Sequence, residues 1–161
     1  MAASSVEWRP LVPSAEWKVT ASHEGHPPPQ ANADGGYNYR GDAAGGLTFM
    51  GWTTAEPQQP GMWFQVELPA PVRLTEIRFT SSTTGTGATQ TSTFPRAYQV
   101  QVSGDGTTWS SPVAEGQGVA GITVIAFTPV SAKFVRITQT ANVANGPPWA
   151  LRLLRLYEAP H

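Results

Sequence analysis

The amino-acid sequence predicts an all-β protein, an antiparallel sandwich of about eight short strands with loops gathered at its two ends. Three observations carry that prediction. Glycine (16) and proline (15) punctuate the chain densely, and no window between them holds apolar residues at helical spacing. Where the punctuation relents, apolar and polar residues alternate with the period of two that belongs to a half-buried strand. Turn formers stand between the alternating runs, Gly104-Asp105-Gly106 being the clearest set.

Taken in order, WFQVEL sends Phe64, Val66 and Leu68 to one face and Trp63, Gln65 and Glu67 to the other. Past a break at Pro69-Ala70-Pro71, Val72 with Leu74 and Ile77 with Phe79 resume the pattern. AYQVQVSGDGTTW (97–109) reads as a hairpin in which Tyr98, Val100 and Val102 share a face. Gly104, Asp105 and Gly106 supply the positive φ that its tight turn needs. ITVIAF, KFVRIT and ALRLLRLY supply three further strands.

Composition sets the limits. A chain of 161 residues buries roughly 70% of its unfolded surface as one domain, so a full core forms without staples. There is no cysteine, which excludes disulfides, thiolate metal sites and a thiol nucleophile. Ten basic residues stand against eleven acidic ones, a balance that argues against nucleic acid and against a surface held to anionic lipid by charge. No run approaches the length of a membrane span. The start MAASSVEW carries neither the basic nor the apolar part of a signal peptide, so the chain reads as a domain of a larger exported protein whose targeting segment lies elsewhere.

Seven blocks, in order, resemble the discoidin or F5/8 type C domain family, which overlaps the galactose-binding-like carbohydrate-binding modules. WKVTAS (17–22) resembles the opening strand, ANADG (31–35) the Asp-Gly loop and GWTT (51–54) the Trp-Thr segment. PGMWFQVEL (60–68) is similar to the Trp-x-x-Val-Asp-Leu strand, with Glu67 for the usual aspartate. FPRAYQVQVSGDGTTW (94–109) and KFVRIT (133–138) resemble the next two blocks, and PPWALRLLRLY (147–157) the closing strand. The resemblance implies a discoidin-like jelly-roll sandwich over residues 17–158, an amino-terminal arm over 1–16 and a short tail over 159–161. It also implies a non-catalytic module that binds glycans or, in some members, lipid head groups or proteins, and an exported bacterial setting, extracellular or periplasmic.

A sugar offers ring hydroxyls and a patch of C–H, so its site pairs an aromatic face with side chains that both donate and accept hydrogen bonds. Such groups come from loops, since the strands are committed to the core. The resemblance places the ligand loops at one end of the sandwich, at HEGHPPPQAN (23–32), TTGTGATQTSTF (83–94) and NVANGPPW (142–149). The main departure from the family pattern is an insertion at about 36–50, YNYRGDAAGGLTFM, an inexpensive addition because loop-closure entropy grows as the logarithm of length. The expected carbohydrate site stacks a ring on Tyr37, Tyr39 or Trp149 and fixes hydroxyls with His23, His26, Arg40 and Asn145. Arg96, after the Phe94-Pro95 turn, reaches either the ligand or a neighbouring carboxylate. Packing is the competing role for Trp149 and for Tyr37, Leu47, Phe49 and Met50 of the insertion. The alternative function is a protein-interaction or adhesion domain docking through the same loops, with Leu47, Phe49 and Met50 as its apolar tips.

Other patterns carry less. His23-Glu24-Gly25-His26 lacks the helical spacing of a zinc protease, and Pro27 to Pro29 end any helix there. Arg40-Gly41-Asp42 matches the integrin tripeptide on three residues only, and GTGATQ (85–90) opens no helix for a phosphate. Glu24, Asp34, Asp42 and Glu56 show no spacing that selects an acid/base pair for glycoside hydrolysis, so no enzyme is expected. The resemblance implies a structural calcium near the Asp-Gly loop, where Asp34 holds the aspartate position. Leu153 and Met50 replace the glutamate and threonine positions, and a hard cation deprived of both oxygens is not expected to be held. Trp52, Trp63 and Trp109 fall where the family packs tryptophan into the sandwich and are read as structural, while Trp8 and Trp17 pin the arm.

Overall fold

A computed structural model describes residues 9–11, 16–23, 52–81, 83–84, 91–144 and 146–160. Its strands are β1 (Arg9–Pro10), β2 (Lys18–Ala21), β3 (Trp52–Pro57), β4 (Met62–Thr80), β5 (Thr83–Thr84), β6 (Thr91–Ser92), β7 (Tyr98–Ser103), β8 (Ala114–Gly116), β9 (Ile122–Gln139) and β10 (Pro148–Glu158). No helix occurs among the described residues, and none there is long and apolar enough to cross a membrane. The main sheet runs β1-β10-β4-β9-β7-β8, with β2 added to β4 and β3 to β10, all pairs antiparallel.

Two strands are far longer than their alternation suggests. The sequence reads separate strands on either side of Pro69-Ala70-Pro71, and again for ITVIAF and KFVRIT. In the fold β4 is one ladder of 19 residues and β9 one of 18. Their register shifts between Glu67 and Val72 and again between Leu74 and Glu76. Prolines donate no ladder hydrogen bond, so the pairing skips there and the two strands bend together instead of ending. The first half of β4 pairs with β2 and the second half of β9, while its second half pairs with β10 and the first half of β9. One curled antiparallel sheet thereby supplies both layers of the predicted sandwich.

The inward faces are those the alternation assigns. Phe64, Val66 and Leu68 are at most 2% exposed, Leu74, Ile77 and Phe79 at most 1%, and Tyr98, Val100 and Val102 join them. Trp17 is buried in the same core beside β2, and Arg9–Pro10 of the arm pair with Glu158 and Tyr157 at the edge of β10. Ala159, placed in the tail by sequence, is buried and its N–H donates to the Arg73 carbonyl at 2.8 Å.

Trp63 and Trp109 are structural, but they lie on the outer face of the sheet and not inside the sandwich. Both are half-buried, and the Arg136 guanidinium lies between them, 4.7 Å from the Trp63 ring and 4.3 Å from the Trp109 ring. Gln65 Oε1 accepts from Arg136 Nε and Nη2 at 3.0 and 2.8 Å, which fixes the plane of the cation. Trp109 also meets Phe134 edge to face at 6.4 Å. Parity along β4 already sends Trp63 outward; the clamp gives it something to cover. Arg136→Ala is expected to destabilise the domain by about 1–2 kcal/mol, from two cation–π contacts and the packing of the arginine stem. Urea unfolding of that variant checks it, and Arg136→Lys should recover only part of the loss because lysine lacks the planar fork.

The turn after β7 differs from its expectation in one detail. Gly106 takes φ +80 whereas Gly104 is not among the positive-φ glycines, and a Cβ on Gly106 would lie 2.9 Å from the Phe134 ring. Asp105 organises the turn: its Oδ1 accepts from the Thr107 and Thr108 N–H groups at 2.8 Å each and from Ser103 Oγ at 3.0 Å. These bonds hold its carboxyl well below its ordinary value of 3.8, the Thr108 bond contributing most. A depressed folded pKa stabilises the fold fully above the unfolded value and loses that contribution as pH falls below it. Asp105→Asn should therefore differ from wild type in melting temperature at neutral pH, with the difference shrinking as pH falls from about 5 to about 2.

Candidate functional site

The curled sheet brings the start and end of β4, both ends of β9 and the starts of β7 and β10 to one end. The stems of the three expected ligand loops meet there. Ser22, just past β2, is tied to the start of β4: its N–H donates to the Trp63 carbonyl and its Oγ accepts from the Trp63 N–H, both at 2.9 Å. His23 follows, with Nδ1 2.9 Å from Ser22 Oγ and Nε2 3.2 Å from Glu56 Oε2. Its imidazole thus bridges the first ligand loop to the end of β3.

Gln58 joins the remaining stems. It is fully buried, and its Nε2 donates to the Phe94 carbonyl at 2.9 Å and toward the Pro148 carbonyl at 3.5 Å. Its Oε1 accepts from the Arg96 N–H at 2.9 Å and from Gln139 Nε2 at 2.7 Å. Its own carbonyl accepts from the Val143 N–H at 2.9 Å. One amide therefore touches the second loop, the third loop and the end of β9. Around it, Thr54 Oγ1 accepts from the Trp149 N–H at 3.1 Å and donates to the Glu56 carbonyl at 2.9 Å. The Ala150 N–H donates to the Thr93 carbonyl at 3.0 Å.

Arg96 sits on this frame. Its guanidinium lies 3.7 Å from the centre of the Phe94 ring and Nη1 donates to the Phe94 carbonyl at 2.7 Å; burial pushes its pKa down. Beside it an open groove of about 430 Å³ is lined by Tyr98, Gln99, Gln117 and Thr140, which both donate and accept hydrogen bonds, and by Glu115, which accepts. Gly118 closes against the same turn, where a Cβ would lie 2.8 Å from the Pro95 carbonyl.

The expected site residues fare differently. His23 and Arg96 stand at this end on the stems just described. Trp149 is 0% exposed and belongs to the core cluster, so its large side chain packs and offers no open face for stacking. The apolar ring is drawn inward because β10 begins at Pro148 and alternation puts Trp149 with Leu151 on the inner side; the register shift between Arg152 and Arg155 then turns Leu154 and Leu156 to that side. His26, Tyr37, Tyr39, Arg40, Asn145 and the calcium candidate Asp34 lie outside the described residues. Among the described residues no three metal-binding side chains come together. Sequence reasoning missed Gln58 and Thr54. Nothing local separates Gln58, fully buried, from its exposed neighbour Gln59.

Among curated proteins none matches the sequence significantly. Among solved structures, the fold is similar to the family 32 carbohydrate-binding module of NanJ from Clostridium perfringens in complex with galactose. The TM-score is 0.66 and the identity 21%, over 94% of this chain and 100% of that one. It is similar also to a chitosan-binding module of a chitosanase/glucanase from Paenibacillus sp. IK-5, with TM-score 0.60 and 24% identity over 94% and 99% of the two chains. A third similar structure is a family 32 module from Clostridium perfringens in complex with GalNAc-β-1,3-galactose, with TM-score 0.61 and 19% identity over 91% and 98%. The F5/8 type C domain profile matches residues 16–154, from before the opening strand into β10. The chain belongs to the F5/8 type C domain family.

Proposed function

We propose that this domain is a non-catalytic carbohydrate-binding module that holds a larger exported bacterial protein against a glycan. The observation that carries the reading is the likeness over 94% of the chain to a module solved with galactose. The convergence of the second and third loop stems on Gln58, with His23, Glu56 and Arg96 at the same end, adds the chemistry a sugar requires. His23, His26, Arg40 and Asn145 serve the hydroxyls, Arg96 either joins them or anchors the second loop, and Tyr37 and Tyr39 of the insertion stack on the ring. Trp149 holds the third loop from within the core. Weak affinity at one site suffices where the parent protein presents several modules or remains close to an insoluble polymer.

Retention on a panel of immobilised polysaccharides tests the reading, using wild type, His23→Ala and the Tyr37→Ala/Tyr39→Ala pair, with and without a calcium chelator. The expected result is retention by one glycan class, weakened in both variants and indifferent to chelator. Wild type that passes every glycan unretained would overturn the proposal in favour of docking to a protein. Retention that survives both variants would move the site away from these loops.

A further inference from the structure

On the outer face of the layer formed by β10, the second half of β4 and the first half of β9, three cross-strand rows lie side by side. Arg155 stands opposite Arg78, which stands opposite Val124; Tyr157 stands opposite Glu76, which stands opposite Ala126; Thr80 stands opposite Ile122. Residues directly opposite share a face, and like charges so placed repel. Arg78 is braced, with Nε donating to Glu76 Oε2 at 2.7 Å and the guanidinium 4.8 Å over the Tyr157 ring. Its two Nη groups have no acceptor among the described residues. Glu76 neutralises one cation only. Arg155 is exposed and has no carboxylate partner among the described residues, so among these one positive charge has no counter-charge.

Next to the arginines Ile122 and Val124 are 59% and 50% exposed on the edge of this layer, where the first half of β9 pairs with β4 alone and β7 pairs only with Phe134–Gln139. Arg78, Thr80, Ile122, Arg155 and Tyr157 line a cleft of about 250 Å³, just below the usual range for drug-sized ligands and enough for one ring. A fixed guanidinium fork, an unbalanced cation and an aliphatic shelf together complement a small amphipathic carboxylate. A neutral sugar would leave Arg155 unpaired, and an extended acidic peptide would overrun so short a cleft. Thr80 and Ile122 adjoin the Ser81 N–H to Gly121 carbonyl bond of 3.1 Å, at the end that carries the candidate loops.

We propose that this cleft is a second saccharide subsite, outside the loops, that takes the carboxylated ring of a uronic-acid residue. The carboxylate meets Arg155 and the Nη groups of Arg78, and the C–H face of the ring rests on Ile122 and Val124. The inference rests on the glycan-binding reading above, and its test separates the two. Isothermal titration of the domain with trigalacturonate should show binding that weakens with salt. Arg155→Gln should lower that affinity roughly tenfold, the loss of one charge-assisted pair, with Arg155→Lys between the two. Retention on whichever neutral glycan the polysaccharide panel selects should be unchanged in both variants, whose melting temperatures should match wild type because Arg155 is exposed. Equal affinity of wild type and Arg155→Gln would overturn the subsite, as would failure of wild type to bind trigalacturonate. If neutral glycans were still retained in that second case, the subsite alone would fall; if none were, the carbohydrate reading would fall with it. A glutamate-rich hexapeptide bound more tightly than trigalacturonate, and dependent on Arg155, would reassign the cleft to an acidic protein partner.

Discussion

Trp149→Ala is expected to destabilise the domain by about 3–5 kcal/mol, the range for deleting a buried aromatic side chain. The indole is fully buried and packs in the central cluster, so its removal leaves a cavity that the curled sheet cannot close without moving β10. Against a typical stability of about 5–15 kcal/mol, that loss brings the domain near its unfolding threshold. A urea titration with unchanged slope and a lowered midpoint is the expected record. Trp149→Phe fills most of the space and should stay folded, with the glycan retention of wild type intact. Retention lost by Trp149→Phe at near wild-type stability would return Trp149 to the ligand surface.

Gln58→Leu is expected to cost about 3 kcal/mol while Gln59→Leu shifts stability by no more than about 0.5 kcal/mol. Leucine has nearly the volume of glutamine but none of its polar atoms. The Arg96 N–H, Gln139 Nε2 and the Phe94 carbonyl would each lose a partner in a buried place, at roughly 1–3 kcal/mol per group before relaxation. Because these bonds gather the loop stems, glycan affinity should fall as well as thermal stability. Thermal melts of the two variants side by side give the comparison, and equal melting temperatures would mean that Gln58 is not the clasp.

How much was legible in the sequence depends on how local each property is. The inward set of β4 and β7 follows from parity alone, and Phe64, Val66, Val100 and Ile77 are buried as that alternation predicts. Three ligand-loop stems could be named from the family resemblance; Gln58 joins the second and third, and Ser22 and His23 tie the first to Trp63 and Glu56. The long ladders were not legible, because Pro69 and Pro71 signal a strand end to any local reading, whereas here the partner strand bends with them. Trp109 and Trp149 were equally opaque: both precede or follow turn residues, yet one covers an arginine outside the sheet and the other fills the core.

By itself the sequence determined the class of fold and the side of β4 and β7 that turns inward, since alternation with period two and turn chemistry act over a few residues. Only the tertiary structure decided which runs join into one strand, which tryptophan is core, which glutamine is the clasp and that Arg78 and Arg155 stand opposite each other. Those outcomes rest on partners far apart in the chain: Gln58 meets carbonyls 36 and 90 residues away, and Arg136 meets Gln65 across 71. A residue's burial is set by what the rest of the chain brings to it, and no local pattern records that.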